Sequence, residues 1–234
     1  MSNTITIENL TFELRRSDRR TTIGITIGRM GELILSAPPD CPQELIEQVA
    51  QEKYRWISTK LAQKEMLFRL PPVKEFIDGE GFYYLGRSYR LRLAHVPATD
   101  TSTPPLCLHK DRFLLRPDEI QRGEEHFINW YIEQGQGWLQ QRIAMFVHRI
   151  DVRPRDIKVQ PLGYRWGSCG HSDILYFHWR TMLLPPPIID YIVVHELVHL
   201  HECRHSRSFW ERVERAMPDY AHRKRWLAEN GSRF

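Results

Sequence analysis

The part of this sequence best suited to chemistry is the run His195-Glu196-Leu197-Val198-His199, which lies inside an apolar stretch. If the stretch is an α-helix, residues four apart differ by about 40° around its axis, so both imidazoles project from one face. That arrangement suits one Zn²⁺ ion, which imidazole nitrogens bind at about 2.0–2.1 Å. Glu196 could then act as general base toward a metal-activated water. Burying these side chains without such a partner would be costly, which weighs against a pair of core histidines.

A hydrolytic zinc site needs a third protein ligand and one open position. The candidates that follow the motif are His201, Glu202 and His205. His201 points away if the helix continues, whereas Glu202 returns to the same face one turn further along. His205 could coordinate only if the helix ends near Cys203 and the chain curls back. Ser206 is a good cap for a new helix and supports such an end, so His205 is favoured and Glu202 stays as the alternative.

The second half of the chain, residues 118–234, is predicted to be a metal-binding catalytic domain. Its metal helix should begin at the prolines 185–187 and run through Cys203. The other predicted elements are a long backing helix Asp118–Val147, strands Ile157–Gln160 and Ile174–Trp179, and short helices Ser206–Ala216 and Pro218–Glu229. Gly135 and Gly137 weaken the middle of the backing helix, so a kink or break is expected there.

The first half, residues 1–117, reads as a β-rich domain with one long helix from Pro42 to about Met66. Strands are indicated within the first forty residues, where apolar residues recur at a spacing of two. Further strands are predicted at Phe82–Leu85, Tyr89–Leu93, Leu106–His109 and Arg112–Leu115. The fold class is therefore α+β, with a β-rich N-terminal portion packed on a compact zincin-type core that holds the metal helix.

Several polar or aromatic groups should lie near the cleft. Tyr164, Arg165 and His178 are candidates for substrate contact or for stabilising an oxyanion, although packing and turn formation explain each one equally simply. The segment Ile174–Trp179 could offer a free sheet edge on which a peptide backbone binds as an added strand. It could equally be a buried strand.

Composition and charge bound the remaining possibilities. The net charge of +4 arises within residues 204–234, where eight Lys/Arg face four Asp/Glu. This is better explained as a solvated helix face than as a nucleic-acid surface. The N-terminus does not resemble a signal peptide, and no stretch approaches the roughly 18 apolar residues of a membrane span. The four cysteines form no Cys-x-x-Cys pair, which predicts free thiols and a cytoplasmic location.

A family resemblance is carried by several segments of the second half: Tyr164 to Gly170, Trp179-Arg180, Pro185 to Pro187, Tyr191 to Leu200, His205-Ser206 and Phe209-Trp210. These segments resemble the YgjP-like metal-dependent hydrolases, small bacterial zincins related to the SprT-like and WLM peptidases. The resemblance implies one Zn²⁺ ion held by His195, His199 and His205, with Glu196 as catalytic acid and base. The chain departs from the family pattern at Arg204 and at His178, where relatives tend to have Asn.

The sequence therefore predicts a zinc-dependent hydrolase, most simply a metallopeptidase acting on a peptide or protein. One alternative, also drawn from the family, is a metal-dependent pyrophosphatase acting on UTP, but no glycine-rich phosphate loop is visible. A second alternative is a non-enzymatic, metal-stabilised protein that binds nucleic acid or a partner. Glu196 argues against it, since a structural metal site needs no general base.

Overall fold

The computed structural model describes residues 4–28, 32–67, 73–94, 104–163 and 165–234. The chain divides into two compact units, one within residues 1–70 and the other within residues 71–232. The division therefore lies near residue 70 and not at the change of pattern near residue 117. Each unit has a hydrophobic core of its own.

The first unit is a four-stranded sheet with two helices. Its strands are β1 (Thr4–Ile7), β2 (Leu10–Arg16), β3 (Gly24–Ile27) and β4 (Leu33–Ala37), in the order β1-β2-β4-β3. Only β2 and β4 run parallel. The predicted single helix is two helices, α1 (Gln43–Glu52) and α2 (Tyr54–Leu67), separated at Lys53. Phe12, Leu35, Ile46 and Ile57 are among the buried side chains of this core, as the period-two and helical patterns indicated.

The second unit begins with another four-stranded sheet, which confirms the four strands predicted there. The strands are β5 (Gly81–Tyr84), β6 (Arg87–Leu93), β7 (Leu106–His109) and β8 (Arg112–Leu115), in the order β5-β6-β8-β7. Phe82 stacks on Phe127 of the following helix, with ring centroids 3.9 Å apart. Phe113 packs edge-on against the same ring at 4.9 Å. This shared aromatic core explains why the sheet belongs to the same unit as the second half of the chain.

The backing helix α3 (Gly123–Ile150) follows a short 3-10 turn at Pro117–Arg122 and is continuous over its whole length. The expected break at the two glycines is therefore wrong. Gly135 is buried, and a Cβ added there would meet Met182 at 3.1 Å, so the missing side chain makes room for a neighbouring segment. The helix retains its hydrogen bonds because its other buried residues hold it against the core.

A three-stranded sheet contacts both the backing helix and the metal helix, which also contact each other. Its strands are β9 (Asp156–Gln160), β10 (Gly167–Cys169) and β11 (Ile174–His178), in the order β10-β11-β9. The hypothesis that Ile174–Trp179 offers a free edge is wrong, because β11 pairs with β9 on one side and with β10 on the other. The edge strand on the metal-helix side is β10, within a segment predicted only as a turn.

The metal helix α4 (Pro186–Val198) is the central element of this unit. Ten of its 13 residues are buried, so it is enclosed on nearly all sides. It ends at Val198 and not at Cys203, because the Val198 carbonyl accepts the N–H groups of both His201 and Glu202 and closes a tight turn. Two helices follow, α5 (Arg207–Ala216) and α6 (Tyr220–Asn230), close to their predicted bounds. None of the described helices meets the length and hydropathy of a membrane span.

Candidate metal centre

Three imidazoles meet at the end of α4. His195 and His199 come from the helix and from its C-terminal boundary, and His205 comes from the loop before α5. Their ring centroids are 4.8–4.9 Å apart in all three pairs. One ring nitrogen of each lies within 4.8 Å of the others, and Nε2 of His195 is 2.9 Å from Nε2 of His205. The nitrogens therefore converge on one point.

The turn after α4 delivers His205 to this cluster. His199 hydrogen-bonds through Nδ1 to the Glu202 carbonyl at 2.9 Å, which leaves its Nε2 directed to the other rings. Ser206 then caps α5, accepting the N–H of Phe209 at 3.2 Å, as the sequence predicted. A carbonyl partner on the second nitrogen is the usual way in which a metal-binding histidine is oriented.

The two other candidate ligands lie outside the cluster. The carboxylate of Glu202 accepts a hydrogen bond from Ser208 Oγ at 2.9 Å. The Nε2 atom of His201 is 3.0 Å from the Ile150 carbonyl at the end of the backing helix. Both side chains therefore hold the turn in place, and neither belongs to the group of converging nitrogens.

The donor set fits Zn²⁺. Burial and the two neighbouring imidazoles lower the pKa of His195 to about 3, so its ring is neutral at physiological pH. Its Nδ1 atom is buried and has no hydrogen-bond partner among the described residues. Burial also lowers the pKa of His205. Three imidazoles with converging nitrogens are a donor set that suits tetrahedral Zn²⁺ with one position left open.

Glu196 lies beside this cluster against the edge strand. Only 6% of the residue is exposed, and its carboxylate accepts the backbone N–H of Cys169 on β10. Burial raises the pKa of Glu196 to about 8, while the positive charge of Arg165 and the hydrogen bond from Cys169 act in the opposite direction. A Cβ added to Gly167 would come within 2.7 Å of the Glu196 side chain. The close contact of α4 and β10 therefore depends on that glycine.

The structure gives different surroundings to the residues that were predicted to contact substrate. Arg165 is close enough for its charge to act on Glu196, and its guanidinium donates to the hydroxyl of Ser168 on β10 at 3.4 Å. His178 is buried, and its Nδ1 atom accepts the N–H of Arg180, capping the 3-10 turn that follows β11. Tyr164 lies outside the described residues. Of the two candidates that the structure describes, Arg165 is thus the one whose charge acts on Glu196 beside the histidine cluster.

An aromatic wall from the C-terminal helices completes the site. Phe209 packs against all three imidazoles at 4.6–4.9 Å. Trp210 is nearly parallel to the His205 ring at 5.6 Å and to the Tyr220 ring at 5.6 Å. Sequence reasoning missed the contacts of Gly167 and Tyr220. The glycine directly after Trp166 was a signal for the first, whereas nothing in the local pattern pointed to the second.

An α+β core with a glutamate and two histidines at the end of one helix, and a third histidine in the loop that follows, defines a candidate metal-dependent hydrolase. The model of the family described as YgjP-like, metallopeptidase domain, matches residues 21–230. The chain therefore belongs to the YgjP-like metallopeptidase family. Among solved structures it is similar to the metallopeptidase zymogen of Pyrococcus abyssi abylysin, with 21% identity and a TM-score of 0.35 over 38% of this chain and 91% of that chain. No curated protein matches the chain.

Proposed function

We propose that this protein is a zinc-dependent metallopeptidase in which His195, His199 and His205 hold the metal and Glu196 is the general base. Membership of a metallopeptidase family supports the reaction class. The observation that carries the assignment is the position of Glu196, a buried carboxylate next to three converging imidazoles and bonded to the edge strand β10. A structural metal site would have no use for it.

When bound, Zn²⁺ supplies Lewis acidity, which polarises a carbonyl and makes a water easier to deprotonate. The protein's own contribution is proton transfer. Glu196 accepts the proton of the attacking water and returns it to the leaving amine. Burial strengthens this carboxylate as a base by raising its pKa, and a dication nearby favours its ionised form. The hydrogen bond from the Cys169 N–H keeps the carboxylate oriented during both transfers.

The edge strand β10 supports a peptide substrate. Among the described residues β10 pairs with β11 alone, so its other side offers an extended chain those backbone groups that Glu196 does not occupy. A peptide that binds as an added strand is held mainly by backbone hydrogen bonds, which every sequence can make. The same strand supports Glu196, so peptide binding and proton transfer take place at one edge.

The test is Glu196→Gln, with Glu202→Gln, six residues later in the chain, as the matched control. We expect Glu196→Gln to keep its zinc and to lose about 10²–10⁴-fold in turnover of an unstructured protein substrate, because the amide cannot accept the proton. Glu202→Gln should keep both zinc and turnover, since its side chain only bonds Ser208. Zinc is measured by elemental analysis and turnover by release of new amino termini. Full turnover in Glu196→Gln would refute the mechanism.

A further inference from the structure

Lys224 on α6 is a cation beside the candidate metal centre. Its Nζ atom lies 3.8 Å from the centroid of the Trp210 ring. The same ring is 5.6 Å from the His205 ring and 5.9 Å from the His195 ring. The ammonium group and two of the three imidazoles therefore all lie near the same indole, and cation–π attraction holds the ammonium in this position.

Lys224 has no acidic partner among the described residues, in contrast to Arg223 and Arg207. Arg223 binds Asp219 at 2.8 Å, and Arg207 binds Glu211 at 2.7 Å. The residues three and four positions away from Lys224 on the helix are uncharged: Tyr220, Ala221, Leu227 and Ala228. Its positive charge is thus not neutralised along the helix, where i,i+4 pairing would otherwise do so.

Lys224 is close to the candidate metal centre, because the Trp210 ring that it contacts also packs near the rings of His195 and His205. With a dication at the imidazoles, an unpaired ammonium at this distance adds repulsion. The repulsion becomes attraction when an anion lies between the two positive groups. Arg165 adds a further positive charge on the side of Glu196, so the surroundings of the centre favour a negatively charged ligand group.

We propose that Lys224, held over Trp210, forms an anion subsite that selects a carboxylate of the peptide substrate. The proposal rests on the proposed peptidase function and names its substrate class. A carboxylate suits a single ammonium group better than a phosphate does, because phosphate sites usually combine several donors. The carboxylate can come from an acidic side chain near the scissile bond or from the C-terminus of a short peptide. The two sources are separated by the test.

The first test compares hydrolysis of three short peptides: one with an internal Glu and an amidated C-terminus, one with Gln in its place, and the Gln peptide with a free C-terminus. We expect the zinc-loaded wild type to prefer one of the two carboxylate peptides by about tenfold in kcat/KM. Lys224→Met should remove that preference and leave the neutral peptide unaffected, while Lys224→Arg should keep it. Arg225→Met, a change of the exposed neighbouring cation, should behave like wild type. A preference unchanged in Lys224→Met would overturn the proposal.

The second test measures binding without turnover. The zinc-loaded Glu196→Gln protein and the same protein carrying Lys224→Met are titrated with fluorescently labelled versions of the three peptides, and fluorescence anisotropy gives Kd. We expect a carboxylate peptide to bind about tenfold more weakly to the double variant. If the wild type hydrolyses no peptide, the proposed function fails, yet this titration still decides the anion subsite. Equal Kd values of the two proteins for the carboxylate peptides would overturn the proposal. So would binding of UTP by a protein that binds none of the three peptides.

Discussion

The carboxylate of Glu196 packs against the α-carbon of Gly167, with no space for a side chain between them. A Cβ at residue 167 would lie 2.7 Å from both Cγ and Oε1 of Glu196. The Cys169 N–H, from the same strand, donates to that carboxylate. The edge strand therefore contributes two features to the proposed general base, a close steric contact and a hydrogen-bond donor.

The first prediction concerns this contact. Gly167→Ala should displace the Glu196 side chain and reduce kcat by about 10–100-fold, because misplacing a reacting group by about 1 Å is that costly. Zinc content should stay at the wild-type level, since the three imidazoles are untouched. The control is Gly137→Ala in α3, where a Cβ meets nothing within 4 Å. That change should leave kcat unaltered and stabilise the helix by about 0.5–1 kcal/mol. Wild-type kcat in Gly167→Ala would contradict the proposed role of the contact.

The second prediction separates the two histidines after α4. His205→Ala should lose most of the bound zinc, because only two imidazoles remain at the centre. His201→Ala should keep its zinc and lose about 1 kcal/mol of unfolding free energy, since it removes the hydrogen bond to the Ile150 carbonyl. Elemental analysis after dialysis and urea unfolding provide the two measurements. Zinc loss in His201→Ala together with zinc retention in His205→Ala would exchange the proposed roles.

The third prediction concerns the ion pair that joins α3 to α4. Arg142 forms a bidentate pair with Asp190 at 2.7 and 2.5 Å, and the Asp190 side chain is 9% exposed. Asp190→Leu should lower the unfolding free energy by about 3–5 kcal/mol, because it leaves the Arg142 charge without a partner in a partly buried position. The double variant with Arg142→Met should recover most of this loss.

A surface pair serves as the control for that experiment. Arg207 pairs with Glu211, and its side chain is 94% exposed. Arg207→Met should change the unfolding free energy by less than about 1 kcal/mol, as exposed ion pairs contribute little. Urea unfolding of all variants under the same conditions gives the comparison. If Asp190→Leu costs no more than Arg207→Met, the pair between the two helices is not a significant source of stability.

The fourth prediction is a pH dependence in the zinc-free protein. The pKa of Glu196 is raised from 4.5 to about 8 by burial. Between these two pH values the folded chain holds a proton on Glu196 that the unfolded chain has lost. The contribution of this proton to the unfolding free energy is therefore complete below about pH 4.5 and is lost as the pH rises through about 8. Relative to Glu196→Gln, the wild type should lose about 2 kcal/mol of unfolding free energy between about pH 6 and pH 8.

Urea unfolding of both proteins in the presence of a chelator measures this difference. The depressed pKa of His195 acts on the acidic side, where stability falls as the pH drops below 6.5 toward about 3. Because His195 is present in both proteins, the comparison largely cancels its contribution. A difference between wild type and Glu196→Gln that does not vary with pH would show that the carboxyl is not perturbed by burial.

Local patterns predicted the helix that bears His195, Glu196 and His199, because helical spacing alone determines which of its side chains share a face. The same holds for Ser206, whose hydroxyl caps the helix immediately after it. The strand β10 could not be predicted in this way. A strand of three residues is too short to show a period-two pattern. Gly167–Cys169 becomes a strand through pairing with β11, which lies later in the chain.

Two other differences have the same physical origin. The pattern suggested a break at Gly135, but packing against Met182 uses the small residue as a contact surface and the helix continues. The change of pattern at residue 117 separates strands from helices, whereas the aromatic contact between Phe82 and Phe127 joins them in one core. Contacts between residues distant in sequence decide such cases, and propensity cannot anticipate them.

The enclosure of α4 has a consequence for how such a protein can diversify. Nearly every residue of that helix is a core residue, so most substitutions in it reduce stability whatever they do to activity. The helix α6 and the strand β10, which lie beside the candidate metal centre, tolerate substitution better. The helix α6 has no buried residue, and the residues of β10 are only half-buried. If the proposed function holds, substrate preference can change through surface substitutions on these two elements, while the helix that carries His195 and Glu196 stays constant.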